Sequence, residues 1–336
     1  MKKEIKINFM HYEEPFDIKN NFFVNFLKKY YKVTISNKPD YVFFSVYDHN
    51  KNFFNKNNKQ DKIPKNNTLI SSLKKIELIK DLIWFMKSKK WIEKSSVPLI
   101  EGTFTKIFYT WENVSPDMSK CDWAFGFEYE EDIKSKNYFR LPYYYVSTYG
   151  KKLIKTNKDI KELNKPNFCN FIYSNHVTFR NKFFKKLSKY KKIDSPGKCM
   201  NNMPPIGEHS NPNESRASNN WQKEKQNFME QYKFTIAFEN KLSTGYTTEK
   251  LTQAMLANSI PIYYGNPSIS RDFNKKSFIN VLDFKSIDKA IDRIKEIDNN
   301  SKLYQSILRE PWLNKNKPNK WMNEKRLVKQ FKKIFG

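Results

Sequence analysis

Residues Tyr232 to Gly265 read YKFTIAFENKLSTGYTTEKLTQAMLANSIPIYYG. Phe234 to Phe238 is an apolar run of strand length ending on the polar pair Glu239-Asn240. A turn containing Gly245 follows, Thr247-Thr248 are placed to cap a helix reaching about Asn258, and Ile260 to Tyr264 reads as the next strand. Strand, loop, helix and strand make one βαβ unit of a parallel sheet. In open sheets of this kind ligands sit beyond the carboxyl ends of the strands, where Glu239, Asn240 and the helix start fall. The helix N-terminus offers unpaired N–H groups and a positive dipole end, which suit a phosphate. Lys250 in the first turn opposes that dipole unless an anion is bound nearby. Glu249 and Lys250 side by side make sense if one takes hydroxyls and the other a diphosphate. The same residues also read as a capped helix with a surface Glu–Lys pair.

Outward from this segment the pattern stays α/β. Ile5 to Met10 alternates as a strand does, Phe22 to Tyr31 has helical spacing, and Tyr41 to Val46 is a short aromatic-rich run. Lys106 to Thr110 is strand-like and leads into Trp111-Glu112-Asn113. Phe168 to Ser174 reads as a strand, and Arg180, Phe183, Phe184 and Leu187 recur at helical spacing. Glu130-Glu131-Asp132 reads as an exposed acidic turn, and Ile193 to Asn220 as a polar loop.

With 336 residues the chain is comfortable as two domains of about 150 residues. The polar stretch from Lys151 to Pro166 suggests a boundary, so the expected division is 1–150, 151–315 and a basic helical tail over 316–336. Residues 48–103 look inserted. Within them Leu69 to Met86 carries apolar residues every three or four positions opposite a basic face.

The formal net charge is +27, with 62 Lys and Arg against 35 Asp and Glu. That favours phosphates, anionic lipid or nucleic acid as partners without choosing among them. Leu327, Phe331, Ile334 and Phe335 form an apolar stripe on a basic helix, which suggests peripheral contact with an anionic membrane. The three cysteines, Cys121, Cys169 and Cys199, are too few and too irregular for a disulfide scaffold and fit a reducing compartment. No apolar leader and no run approaching about 18 apolar residues is present, so the expectation is a cytoplasmic protein with no signal peptide or transmembrane helix. The four histidines are scattered and there is no Asp-x-Asp, so no metal site is expected.

The segment resembles the donor-binding signature of glycosyltransferase family 10, the α1,3/1,4-fucosyltransferases. The resemblance lies in Phe238-Glu239-Asn240, Gly245-Tyr246-Thr247-Thr248-Glu249-Lys250 and Ile260 to Pro267, and continues through Asp272-Phe273-Asn274 and Asp283-Phe284. Phe108 to Asn113 with Ser115-Pro116 is similar to the family's segment bearing its catalytic carboxylate. Ser174-Asn175 with Arg180 is similar to the segment whose arginine binds the diphosphate. The resemblance implies a GT-B architecture, two Rossmann-like domains facing a cleft, acceptor side N-terminal and donor side C-terminal. It implies inverting transfer of L-fucose from GDP-fucose to a glycan hydroxyl, most often on an N-acetylglucosamine-type sugar in α1,3-linkage, with no cofactor or obligatory metal. Glu112 is then the general base, Arg180 and Lys250 stabilise the departing diphosphate, and Asn240 and Tyr246 contact the donor. Glu249 takes ribose or sugar hydroxyls and favours an oxocarbenium-like sugar. The alternatives are a family-10-like enzyme using another nucleotide sugar and a basic nucleic-acid-binding protein. The second does not account for Glu112 or for Glu249-Lys250, so no nucleic acid is expected as partner.

Overall fold

The computed structural model describes residues 2–13, 16–47, 97–148, 153–156, 165–206 and 219–336. The expected helix over Leu69 to Met86 and most of the 48–103 stretch lie outside these residues. Two compact units are present. One comprises Met1–Gly126 and Lys134–Phe139, the other Phe127–Ile133 and Arg140–Gly336. The break thus falls nearer residue 140 than 150, and a short piece of the N-terminal half belongs to the second unit.

The first unit is built on β1 (Glu4–Met10), β2 (Lys32–Ile35), β3 (Tyr41–Phe44), β4 (Thr105–Phe108), β5 (Trp123–Gly126) and β6 (Tyr138–Arg140), the last residue of β6 already belonging to the second unit. Their order in the sheet is β2-β1-β3-β4-β5-β6, and β1 pairs in parallel with both β2 and β3. Central strands are covered on both faces and therefore read as continuous apolar runs. In β3, Val42, Phe43 and Phe44 are all fully buried. The helix expected over Phe22 to Tyr31 is confined to Phe22–Leu27, capped by the Asn21 side chain on Val24 N.

The second unit is built on β7 (Asn167–Asn170), β8 (Ile193–Asp194), β9 (Tyr232–Phe238), β10 (Ile260–Tyr264) and β11 (Ile279–Asn280), in the order β11-β10-β9-β7-β8. Each neighbouring pair in this sheet runs parallel. Counted from its first strand this order is 2-1-3-4-5, and the first sheet follows the same order with a sixth strand added. That is the doubly wound pattern, whose switch point lies between the first and third strands of each unit. Here those points are the carboxyl ends of β1 and β3, and of β7 and β9.

Helix Glu249–Leu256 buries Leu251, Thr252, Ala254 and Met255 and packs against β9 and β10. Burying Leu251 and Met255 contributes about 1.5–3 kcal/mol each. The C-terminal residues are not a projecting tail. Helix Glu324–Phe335 buries Leu327, Phe331, Ile334 and Phe335, so the stripe expected to meet a membrane already packs within the protein. No described helix is long and apolar enough to cross a membrane. The acidic turn is also corrected: Glu130–Ile133 is a short helix, with Glu130 paired to Arg326 and Glu131 to Arg271.

Candidate functional site

At the switch point of the second unit the chain leaves β7 and reaches Tyr173. Its hydroxyl accepts from Phe238 N at 2.7 Å, with its own proton directed to the carbonyls of Ile236 (2.8 Å) and Phe238 (3.1 Å). The phenol thus fixes the end of β9 just before Glu239 and Asn240. The guanidinium of Arg180, on helix Thr178–Leu187, lies 3.7 Å from the centre of the Tyr173 ring. Arg180 is 1% exposed. It donates to Asn175 O at 3.0 Å and makes longer contacts of 3.4 Å to Asn240 Oδ1 and 3.5 Å to Phe238 O. Its Nε is buried without a hydrogen-bond partner. A buried guanidinium with a spare donor is costly unless an anion completes it.

Glu239 follows directly. Its carboxylate is buried and accepts from Thr248 N at 2.7 Å and from Thr248 Oγ1 at 2.8 and 3.0 Å. Thr248 stands at the N-cap position, but its hydroxyl serves Glu239 instead of the helix N–H groups, contrary to the capping expected from sequence. Lys250 reaches back to Thr248 Oγ1 at 3.0 Å and lies 3.5 Å from both Glu239 and Glu249. Burial works against the Lys250 charge, yet Glu249 and then Glu239 hold its pKa above the ordinary lysine value. Burial also works against the Glu249 charge, but Lys250 and Lys225 keep that carboxyl below the usual glutamate range. For Glu239 burial prevails over Lys250, and its pKa is raised.

The turn between Asn240 and Thr248 depends on Gly245. Its φ is +84°, and a Cβ there would lie 2.4 Å from the Phe127 carbonyl oxygen. Asn266 holds the turn from the other side, its Oδ1 accepting from Gly245 N at 2.8 Å. Tyr246 is buried, with its ring edge-on to Phe127 at 5.0 Å.

Glu112 belongs to the first unit, in the segment that follows β4. Tyr47, which follows β3, donates its hydroxyl to Glu112 Oε1 at 2.6 Å and accepts from Trp111 Nε1 at 3.0 Å. Burial and then the Glu112 charge push the Tyr47 phenol far above its ordinary pKa, so it remains a donor. The structure brings Arg180, Asn240, Glu249 and Lys250 together on one edge of the second sheet. Glu239, Tyr173 and Asn266 complete these surroundings, while Tyr47 meets Glu112 within the first unit; none of the four was given a role from sequence. Glu239 was read from sequence only as a polar strand end, because its partner Thr248 lies nine residues further on. Among the described residues no group of three or more His, Cys, Asp or Glu is placed to hold a metal ion.

Two doubly wound sheets with polar residues at their switch points define a protein of the doubly wound α/β class. Residues 163–333 match the C-terminal model of glycosyltransferase family 10 (fucosyltransferase), and residues 97–147 match the N-terminal domain of alpha-(1,3)-fucosyltransferase FucT. The chain belongs to glycosyltransferase family 10, and its architecture is GT-B.

It is 33% identical over 244 residues to the Helicobacter pylori alpha-(1,3)-fucosyltransferase FucT, covering 62% of this chain and 47% of that one. The chain therefore spans about half the length of that relative. It is 32% identical over 130 residues to GDP-fucose protein O-fucosyltransferase 3 of Bos taurus, covering 38% of this chain and 26% of that one. A crystal structure of an alpha1,3-fucosyltransferase with GDP-fucose superposes with a TM-score of 0.70 at 25% identity, over 99% of this chain and 91% of that one.

Proposed function

We propose that this protein is an inverting fucosyltransferase that moves L-fucose from GDP-fucose to a hydroxyl of an N-acetylglucosamine-type acceptor, in α1,3-linkage. The observation that carries the donor half is Arg180, buried with an unpartnered Nε beside Lys250 at the switch point of the second unit. In this reading the second unit is the donor side and the first the acceptor side. Arg180 and Lys250 bind the diphosphate, Asn240 and Tyr246 contact the donor, and Glu249 takes ribose or sugar hydroxyls. Glu249 also favours positive charge developing on the sugar ring.

A sugar hydroxyl is a weak nucleophile, so a base must take its proton as it attacks; Glu112 has that role. The acceptor oxygen bonds to the anomeric carbon from the face opposite the diphosphate, the carbon–phosphate-oxygen bond breaks, and configuration inverts. The negative charge that accumulates on GDP is met by two fixed cations, Arg180 and Lys250, so no obligatory metal is needed. The relatives named as an alpha-(1,3)-fucosyltransferase and as a GDP-fucose protein O-fucosyltransferase share fucose, which supports the donor.

The test is paired. GDP-fucose without added metal should raise the melting temperature; at about 100 times the dissociation constant, linkage supplies about 2.7 kcal/mol. Glu112→Gln should lower transfer to N-acetyllactosamine by about 10²–10⁴-fold with donor affinity intact. Lys250→Ala should weaken donor affinity and turnover together. Stabilisation by uridine nucleotides alone would overturn the donor, and a Glu112→Gln variant at wild-type rate would overturn the base.

A further inference from the structure

The surroundings of Glu112 are more ordered than a base facing solvent requires. Tyr47 stands at the switch point of the first unit, just beyond β3, and its backbone is tied on both sides to His11, just beyond β1. Tyr47 N donates to His11 O at 2.9 Å, and His11 Nδ1 lies 3.2 Å from Tyr47 O. Because a carbonyl only accepts, that contact requires the proton on Nδ1. His11 holds a φ of +59°, a left-handed conformation uncommon for a residue with a side chain. Such strain persists where surrounding structure over-determines it, and often beside functional groups. The Tyr47 side chain is fixed as well, since the Trp111 indole donates to its oxygen and leaves the phenol proton no better acceptor than Glu112. At 2.6 Å the contact has the length of a hydrogen bond to a charged carboxylate. Among the described residues, Glu112 Oε2 has no hydrogen-bond partner.

We propose that Tyr47 is the positioning residue for the base: it occupies Glu112 Oε1 and so assigns Oε2 as the atom that receives the acceptor proton. The inference rests on the Glu112 reading above. Oε2 takes the proton as the acceptor oxygen bonds to the anomeric carbon and the bond from that carbon to the diphosphate breaks. A carboxylate free to rotate would present either oxygen and spend much of its time misdirected, and orientation of this kind carries a large share of catalysis.

A double-mutant cycle tests this, using GDP release from GDP-fucose with N-acetyllactosamine present, so that hydrolysis and transfer both register. Tyr47→Phe keeps the ring and removes the donor. It should lower kcat about ten- to a hundredfold with the KM for GDP-fucose unchanged. In a Glu112→Gln background the same change should cost nothing further, because there is no base left to orient. Losses that multiply in the double variant, or a Tyr47→Phe loss carried by the donor KM, would mean a structural role and overturn the proposal. Full activity of Glu112→Gln is a separate outcome, which removes the base assignment and this inference with it. If Tyr47→Phe does not fold, Trp111→Phe removes the indole donor together with part of the ring that packs on Tyr12, Phe16 and Tyr47, and should give a kcat loss with the same non-additivity; multiplying losses there would overturn the proposal too.

Discussion

Burial and neighbouring charge pull Glu239 in opposite directions. The carboxyl is enclosed with its pKa raised, while Lys250 and two Thr248 donors favour the ionised form. A raised acid is more protonated in the folded than in the unfolded chain. Its unfavourable contribution therefore grows as pH rises from the ordinary value of 4.5 toward its folded pKa. Glu239→Gln lacks that titration. Its melting temperature relative to wild type should climb with pH through this window, and scans at several pH values check the slope. Glu249 runs the other way: its lowered pKa gives stability that is present above about the usual glutamate value of 4.5 and is lost as pH falls through the folded one. That Arg180, Asn240, Glu249 and Lys250 fall on one sheet edge could be expected from sequence, Glu249 and Lys250 from their place at a helix start and Arg180 and Asn240 from the family resemblance. Tyr47 was not, since 65 positions separate it from Glu112 and only the parallel sheet makes them neighbours.

Among the elements, the 249–256 helix shows how local rules hold at one end and yield at the other. Its carboxyl end closes as expected near Asn258. Asn258 N bonds to Met255 O at 2.9 Å and Ser259 N to Ala254 O at 3.0 Å, with Asn258 at φ +50°. This is a Schellman closure, in which Gly or Asn takes the left-handed position. Asn258→Val should destabilise by about 1–2 kcal/mol, the cost of forcing a β-branched residue into that conformation. Asn258→Gly should be close to neutral, and urea denaturation of the two variants gives the comparison. The amino end departs from the expected capping because Glu239, nine residues earlier, takes the Thr248 hydroxyl. Strand and helix types followed from apolar runs and spacing, since burial on both faces of a parallel sheet leaves a plain signature. Boundaries were less legible: Phe22 to Tyr31 has helical spacing throughout, yet the helix stops at Leu27.

At the scale of the molecule, the second unit is organised around a buried pair the sequence did not announce. Arg140 and Asp272 are both fully enclosed and bonded in fork fashion at 2.8 and 3.1 Å, and Arg140 Nε also donates to Phe127 O at 2.8 Å. Asp272→Ala would leave a guanidinium buried without countercharge, a loss of about 3–5 kcal/mol. The double change Arg140→Met with Asp272→Leu should recover most of it, as chemical denaturation of the single and double variants would report. The membrane contact expected of the C-terminal stripe gave way for a similar reason: an amphipathic pattern states that a face will be covered, but not by what.

Residues Phe127–Ile133 belong to the second unit although they precede Arg140 in the chain. Phe127 supplies the carbonyl that Arg140 needs, the wall that excludes a side chain at Gly245, and the ring that meets Tyr246. Recombination between relatives would therefore respect a non-contiguous module. A chimera joined at residue 150 would combine one parent's Gly245 turn with the other's Phe127 strand end. Transplanted with 127–133 from the same parent, the second unit should keep its Gly245 turn intact, so this heptapeptide marks where that module begins.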